Sequence, residues 1–521
     1  MNQLNNHMKT IILYIVTALA CLIMHHCNGQ GVISNLENYF KILALSNQHN
    51  GNILVAENGK IVAELSSGYA DIPLKKPCIS YSRFNLASIS KVITSTAILQ
   101  LRDKGKFKLD DPLILYLKDF PFKEITIRHL LTHTSGLPDL ELFEEIVKRY
   151  PDTIITNQNV IPELQKWKHG LYFKPGDKLQ YCNTEYNLLA LLIENRSGLK
   201  LDNYLKKNIF RPAGMHNAYL SIYPDFVKND KLAVIAHAKP HPGYDSTYIA
   251  VDSIPRYKYL NYNNKGTVGQ GNIMSTTSDL LLFDKAFFDG KLLKGSSVTE
   301  ALTPLTLNNG TTYYGGMDTL EVEGKMTYGL GWEIFEQPLY GKSVGHGGYK
   351  IGLATFYWHN MDKNQVIIGF DNTAGSEFGR FLTSSISILN GKAPLELRTS
   401  KSLVTLYGTA LVKNGIDYAA AILNANKTNK KYYLSEWEMN ELGYNLFYMS
   451  SFKNHQELAI ETFKLATFLF PESFNTYDSY AQLLMESGKN EEAIMMYKKS
   501  IELNENNKEG KQKLEQLLGQ K

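Results

Sequence analysis

Strand-like runs stand at both ends of the first 390 or so residues, and helical patterns fill the stretch between them. Any sheet must therefore join segments far apart in the chain. The early run is Asn52-Ile53-Leu54-Val55-Ala56, then Asn58-Gly59, then Ile61-Val62-Ala63-Glu64-Leu65. Asn-Gly between two apolar runs signals a hairpin, because both residues accept the positive φ that the turn demands. The late runs are Lys342-Ser343-Val344, Ile351 to Trp358, and Gln365 to Phe370. Strands at the ends with helices between them predict an α+β layer design, its sheet built from the early hairpin and the late strands together.

Gly31 to Gln48 mixes apolar and polar positions at helical spacing. A second helix is expected from about Ser88 to Lys104, with Val92, Ile93, Ala97, Ile98 and Leu101 on its apolar face and Gly105 ending it. After about Ala393 the pattern is helical throughout. Glu457-Leu458-Ala459-Ile460 with Phe463 matches Glu491-Glu492-Ala493-Ile494 with Tyr497 at an offset of 34 residues, the period of tetratricopeptide repeats. Trp437 to Met449 reads as the first helix of the preceding unit, and a closing helix ends near Leu518.

At the N-terminus, Lys9 precedes an almost unbroken apolar run from Ile11 to Met24. The run is short for a bilayer of about 30 Å and has the length of a signal-peptide core. Cleavage after Gly29 divides the chain into a signal peptide (1–29), a mixed α and β domain (30–392) and an all-α segment (398–521) with repeats over about 437–518. The expectation is export, periplasmic or extracellular, with no transmembrane helix in the mature chain. Lipoprotein anchoring at Cys21 or Cys27 stays open. Cys78 and Cys182 remain in the mature chain, where two buried free thiols are favoured over a disulfide. The formal charge is +4 over 521 residues, which gives no argument for nucleic acid. No zinc-ligand spacing or phosphate loop is present, and no cofactor or metal is implied.

Three elements carry chemistry. Ser88 and Lys91 lie three apart on an expected helix, so they share a face. A serine hydroxyl is a poor nucleophile until a neighbour takes its proton. A lysine can take it if burial lowers its pKa from about 10.4. Tyr181 and Asn183 follow Lys174-Pro175-Gly176 and precede a helix from about Thr184 to Arg196. There a phenol can shuttle protons, and Asn183 can orient Lys91 and a substrate amide. Gly345-His346-Gly347-Gly348-Tyr349 stands just before a strand. Its glycines allow close approach to the backbone, a strand edge can lend an N–H to an oxyanion, and His346 can donate to a substrate carboxylate or carbonyl.

In this order, the three elements resemble the serine β-lactamase and penicillin-binding-protein superfamily, above all its class C-like branch of D,D-peptidases, D-aminopeptidases and esterases. Thr126 to Pro138, Arg211-Pro212-Ala213-Gly214-Met215, and Gly269 to Asp279 are similar to the same branch. The resemblance covers about residues 32 to 390. It implies an antiparallel sheet flanked by helices, an all-helical lobe, and an active site between them. It makes Ser88 the acylated nucleophile, gives Lys91 and Tyr181 the base and acid duties, and makes Asn183 a positioning group. His346 takes the place of the third motif's lysine, in a His-X-Gly that Gly348 completes as a substrate-binding residue. Ser88 and Tyr349 supply the oxyanion N–H groups. His133 is read as structural support. A neutral imidazole attracts a carboxylate less than an ammonium does. The implied substrate is therefore a D-amino-acid peptide, ester or amide ahead of a β-lactam. The alternative reading is a binding or scaffold protein, in which the helical repeats hold a protein partner and the hydrolase domain is vestigial.

Overall fold

The computed structural model describes residues 29–519, apart from 47, 151, 223–229, 242, 246, 255–265, 316–323, 376, 398–399, 451 and 506. The expected signal segment thus lies outside the described residues, save Gly29, which opens helix α1 (Gly29–Ser46). Among the described residues, no helix is long and apolar enough to cross a membrane.

Two compact units are present. One runs to Ala238 and resumes over Ala250–Glu396; the other comprises Lys239–Ile249 and the chain from Leu397 onward. Residues 239–249, which the sequence reading left inside the first domain, therefore pack with the second.

The first unit is built on a seven-stranded antiparallel sheet of β1 (Gly51–Glu57), β2 (Lys60–Ser67), β3 (Lys325–Tyr328), β4 (Glu333–Gln337), β5 (Gly341–Lys350), β6 (Leu353–Asn360) and β7 (Gln365–Asp371). Their spatial order is β3-β4-β5-β6-β7-β1-β2. As expected, the early hairpin joins the late strands: β1 pairs with β7 from Gly51↔Asp371 to Glu57↔Gln365. Asn58 and Gly59 turn the hairpin with φ of 51° and 71°, the double positive φ of a type I′ turn.

Both faces of the sheet are covered. Gly369 in β7 lies where a Cβ would meet Leu382 and Phe378 of α5 (Phe378–Leu389), and α1 packs on that helix. Residues alternate sides along a strand. Tyr357, cross-strand from Ile368, accordingly reaches the other side and donates its hydroxyl proton to Asp284 of α4 (Thr277–Phe288). The continuous apolar core extends from the sheet into the helical lobe around α2 (Ser90–Asp103) and α3 (Asn183–Ser197). A 3₁₀ turn, Ala87–Ile89, precedes α2. The expected helix is thus α-helical only from Ser90.

The second unit has its own core of Tyr407, Leu442, Phe463, Leu483 and Tyr497. Its helices are α6 (Leu403–Asn414), α7 (Ile416–Asn426), α8 (Glu436–Tyr444), α9 (His455–Leu469), α10 (Phe474–Glu486), α11 (Asn490–Leu503) and α12 (Lys508–Gly519). Gly443 lets α8 approach α9 closely, since a Cβ there would clash with Phe463. The 239–249 segment is held in the same way. Gly243 (φ 91°) sits against Leu442, the Tyr244 carbonyl accepts from Thr409, and the Tyr244 hydroxyl meets Ser450 Oγ at 2.8 Å.

Candidate active site

The turn that carries Ser88 is held in an uncommon conformation. Ala87, directly before it, has φ of 46°, a region that residues with a Cβ seldom enter. The surroundings hold it there: Ala87 N donates to Asn85 Oδ1 (2.9 Å), Leu86 N to Ile273 O (2.7 Å), and Thr355 Oγ1 to Leu86 O (2.9 Å). Strand β5 passes tightly over this turn. A Cβ on Gly348 would lie 2.7 Å from Leu86 O and 3.1 Å from the Ala87 Cβ. Only glycine permits that approach, which carries the Tyr349 backbone to the Ser88 turn.

Lys91, one helical turn on, is fully buried. Its Nζ lies 3.1 Å from Ser88 Oγ, 2.8 Å from Asn183 Oδ1 and 3.1 Å from Gln270 O. Burial lowers the ammonium pKa to about 7, against smaller upward pulls led by Asp139. The geometry suits the neutral amine, which has two N–H donors and one lone pair. The two carbonyl oxygens accept the two N–H groups, and the lone pair is left for the Ser88 hydroxyl.

Tyr181 covers this amine, with Nζ 4.6 Å from its ring centroid and its hydroxyl bonded to Ser88. Desolvation of that hydroxyl pushes the phenol well above its ordinary value, while Ser88 pulls it back. Tyr181 leaves 36% of its surface open, so solvent moderates the push. Asn183 opens α3. Its backbone N donates to Asp139 Oδ1 (2.6 Å) and its Nδ2 to Asp139 Oδ2 (3.0 Å).

Behind Tyr181 stands His133, whose ring centroid is 4.3 Å away. Its Nδ1 lies 2.5 Å from Glu185 Oε2. Both side chains are buried. Desolvation drives Glu185 up and His133 down, and Nδ1 also accepts from Cys182 N (3.2 Å). His133 and Glu185 thus stand buried behind the Tyr181 ring.

His346 departs from expectation. It is 1% exposed, with Nδ1 2.5 Å from Gly347 O and Nε2 3.2 Å from the Tyr328 hydroxyl. Burial, with Lys91 nearby, lowers its pKa to about 3, so it is neutral. Both ring nitrogens are engaged inside the protein. The side chain therefore backs the site and does not present a donor to substrate as anticipated. Beside it, Glu333 Oε2 accepts from Gly347 N (2.9 Å). Tyr349, by contrast, has an exposed side chain. Cys182 is a buried free thiol in contact with Pro138 O (3.5 Å), and Cys78 is likewise buried and free.

Sequence reasoning missed Asp139, Gln270, Glu185, Tyr328 and Glu333. Asp139 is the next residue after the recognised stretch that ends at Pro138, and Gln270 lies inside a recognised stretch. Gln270 contributes a backbone carbonyl, which no residue-type pattern records.

Residues 45–386 match the protein-family model described as Beta-lactamase. The chain belongs to the beta-lactamase family. Penicillin-binding protein 4* of Bacillus subtilis is 33% identical over 338 residues, which is 65% of this chain and 71% of that protein. A D-aminopeptidase of Brucella anthropi is 26% identical over 325 residues, 62% of this chain and 56% of that one. The chain thus spans little more than half of the D-aminopeptidase's length. The crystal structure of D-amino acid amidase from Ochrobactrum anthropi SV3 superposes with a TM-score of 0.54 at 21% identity, covering 68% of this chain and 97% of the amidase. That likeness is one of fold.

Proposed function

We propose that this beta-lactamase family member is an exported serine hydrolase of the class C-like branch, and that it opens amide or ester bonds through an acyl-enzyme at Ser88. The observation that carries the reading is the place of buried Lys91, whose Nζ lies 3.1 Å from Ser88 Oγ with two carbonyl oxygens beside it to take its N–H groups. Ser88 Oγ attacks the substrate carbonyl carbon, and its proton passes to Lys91 Nζ. The developing oxyanion is received by the N–H groups of Ser88 and Tyr349, whose backbones the close approach at Gly348 brings together. Tyr181, bonded to Ser88, hands a proton to the departing amine or alcohol and is reprotonated from Lys91. Water then cleaves the ester by the reverse transfers, so that one water is consumed and an acid and an amine or alcohol leave.

The relatives named as penicillin-binding proteins and D-aminopeptidases favour D-amino-acid peptides, esters or amides as substrates. Neutral His346 removes the cation that would draw a β-lactam carboxylate. In the helical unit, Ala459 and Ala493 are buried alike, as are Phe463 and Tyr497. The shared 34-residue spacing supports tetratricopeptide-like repeats.

Intact mass spectrometry after incubation with a penicillin and, separately, with a p-nitrophenyl ester tests the mechanism beside Ser88→Ala. A Ser88-dependent adduct with either reagent supports it. Turnover retained in Ser88→Ala contradicts it.

A further inference from the structure

The geometry points to Asp139 as the positioning residue that sets which face of Asn183 meets Lys91, and so whether the amine's lone pair points at Ser88. This inference rests on the reading of Lys91 as the base.

An amide side chain can present either its oxygen or its NH₂, and the neighbouring network decides which. Here the decision comes from one carboxylate. Burial raises the Asp139 carboxyl pKa, while the donors of Asn183 and Thr184 and the charge of Lys91 pull it back; as a carboxylate, its Oδ2 accepts from Asn183 Nδ2 at 3.0 Å. Asn183 Oδ1 must then face the other way, where it accepts from Lys91 Nζ at 2.8 Å. Asp139 Oδ1 meanwhile accepts from the backbone N of Asn183 (2.6 Å) and of Thr184 (3.3 Å), which fixes the first turn of α3. Its own loop is fastened as well, with Asp139 N donating to Glu141 Oε1 (2.9 Å) and Thr184 Oγ1 to Asp139 O (3.2 Å). The chain Asp139–Asn183–Lys91–Ser88 is thus a directed relay. An Asn183 turned by half a rotation would offer N–H to Nζ and draw its lone pair away from Ser88.

The same carboxylate places negative charge near Lys91, and it leads the influences that favour the ammonium. The other groups facing Lys91 are Cys182 and Glu185 on and beside α3, Glu333 on β4, the Tyr181 and Tyr186 rings, and His133 and His346, which are neutral. None of these orients Asn183.

The test is the pH dependence of kcat/KM on a neutral chromogenic ester for wild type, Asp139→Asn, Asp139→Ala and Asp139→Glu. In Asp139→Asn the charge is gone, and its new NH₂ opposes Asn183 Nδ2. The expected result is a kcat about 10–100-fold lower, the scale of a lost hydrogen bond to a charged group. The acidic limb should also move down by about one pH unit, because Lys91 has lost a charge favouring its protonated form. Asp139→Ala should move the limb in the same way, and Asp139→Glu should keep it near the wild-type position. A limb unmoved in Asp139→Asn and Asp139→Ala, with rates falling equally at every pH, would assign Asp139 a structural role only and overturn the inference. Loss of turnover in Lys91→Met tests the underlying reading separately, so the two can fail independently.

Discussion

If Lys91 is the base, activity must rise with pH as its amine loses a proton. The perturbation is pH alone, on the intact protein. An unshifted lysine, at 10.5, would be neutral in about 3 of 10⁴ molecules at pH 7. Lowered to about 7 by burial, Lys91 is neutral in about half. Desolvation therefore supplies about 10³-fold more active base at neutral pH. A general base is most effective with a pKa near the working pH. The assay is kcat/KM on a neutral ester, from pH 5 to 9, so that no substrate charge titrates. The rate should climb about tenfold per unit below pH 6 and level off above about 8. A flat profile from pH 5 to 9, or a rate still climbing tenfold per unit between pH 8 and 9, would refute the assignment of a burial-shifted Lys91 as base.

Lys91→Met should abolish turnover, and its stability relative to wild type should depend on pH. The unfolded chain holds a proton on Lys91 that the folded chain releases near 7. Burying Lys91 therefore costs most below pH 7, and the cost fades towards 10.5. The gap in ΔG of unfolding should shrink by at most about 5 kcal/mol over that window, and denaturant melts at pH 6 and 10 that show a constant gap would contradict it. Gly348→Ala should cut acylation by about 10²-fold by prising β5 from the Ser88 turn, measured by single-turnover kinetics with the melting curve as a check on folding. Gly243→Val should cost about 1–3 kcal/mol through the Leu442 contact and the φ of 91°, read as an earlier thermal transition. Truncation after Glu396 removes the residues that hold Tyr244, so limited proteolysis should cut within 239–249 faster in the truncated protein than in the full chain.

The hairpin was legible because Asn58-Gly59 states its turn directly, and the late strands were legible as apolar runs. Their joining in one sheet followed from a simple need, that strands without neighbours leave backbone groups unpaired. Ser88 and Lys91 were legible from the order of the three motifs and the family resemblance that order carries, since a Ser-X-X-Lys spacing alone occurs on many surface helices. His346 was found, but its direction was not. Strand alternation gives the face on which a side chain lies, and not that Tyr328 waits there. Asp139 and Glu185 escaped because their importance depends on burial against partners 44 and 52 residues away. The excursion of 239–249 into the helical unit left no periodic trace, because Gly243 and Tyr244 act through shape at single positions.

The acyl-enzyme itself can be trapped. A p-nitrophenyl ester mixed with the protein and quenched in acid within the first turnover, followed by peptide mass mapping, tests the central claim most directly. The account predicts the acyl group on the peptide containing Ser88, a burst of nitrophenol equal to the enzyme present, and neither in Ser88→Ala. An acyl group on any other residue, or a burst that survives in Ser88→Ala, would contradict it.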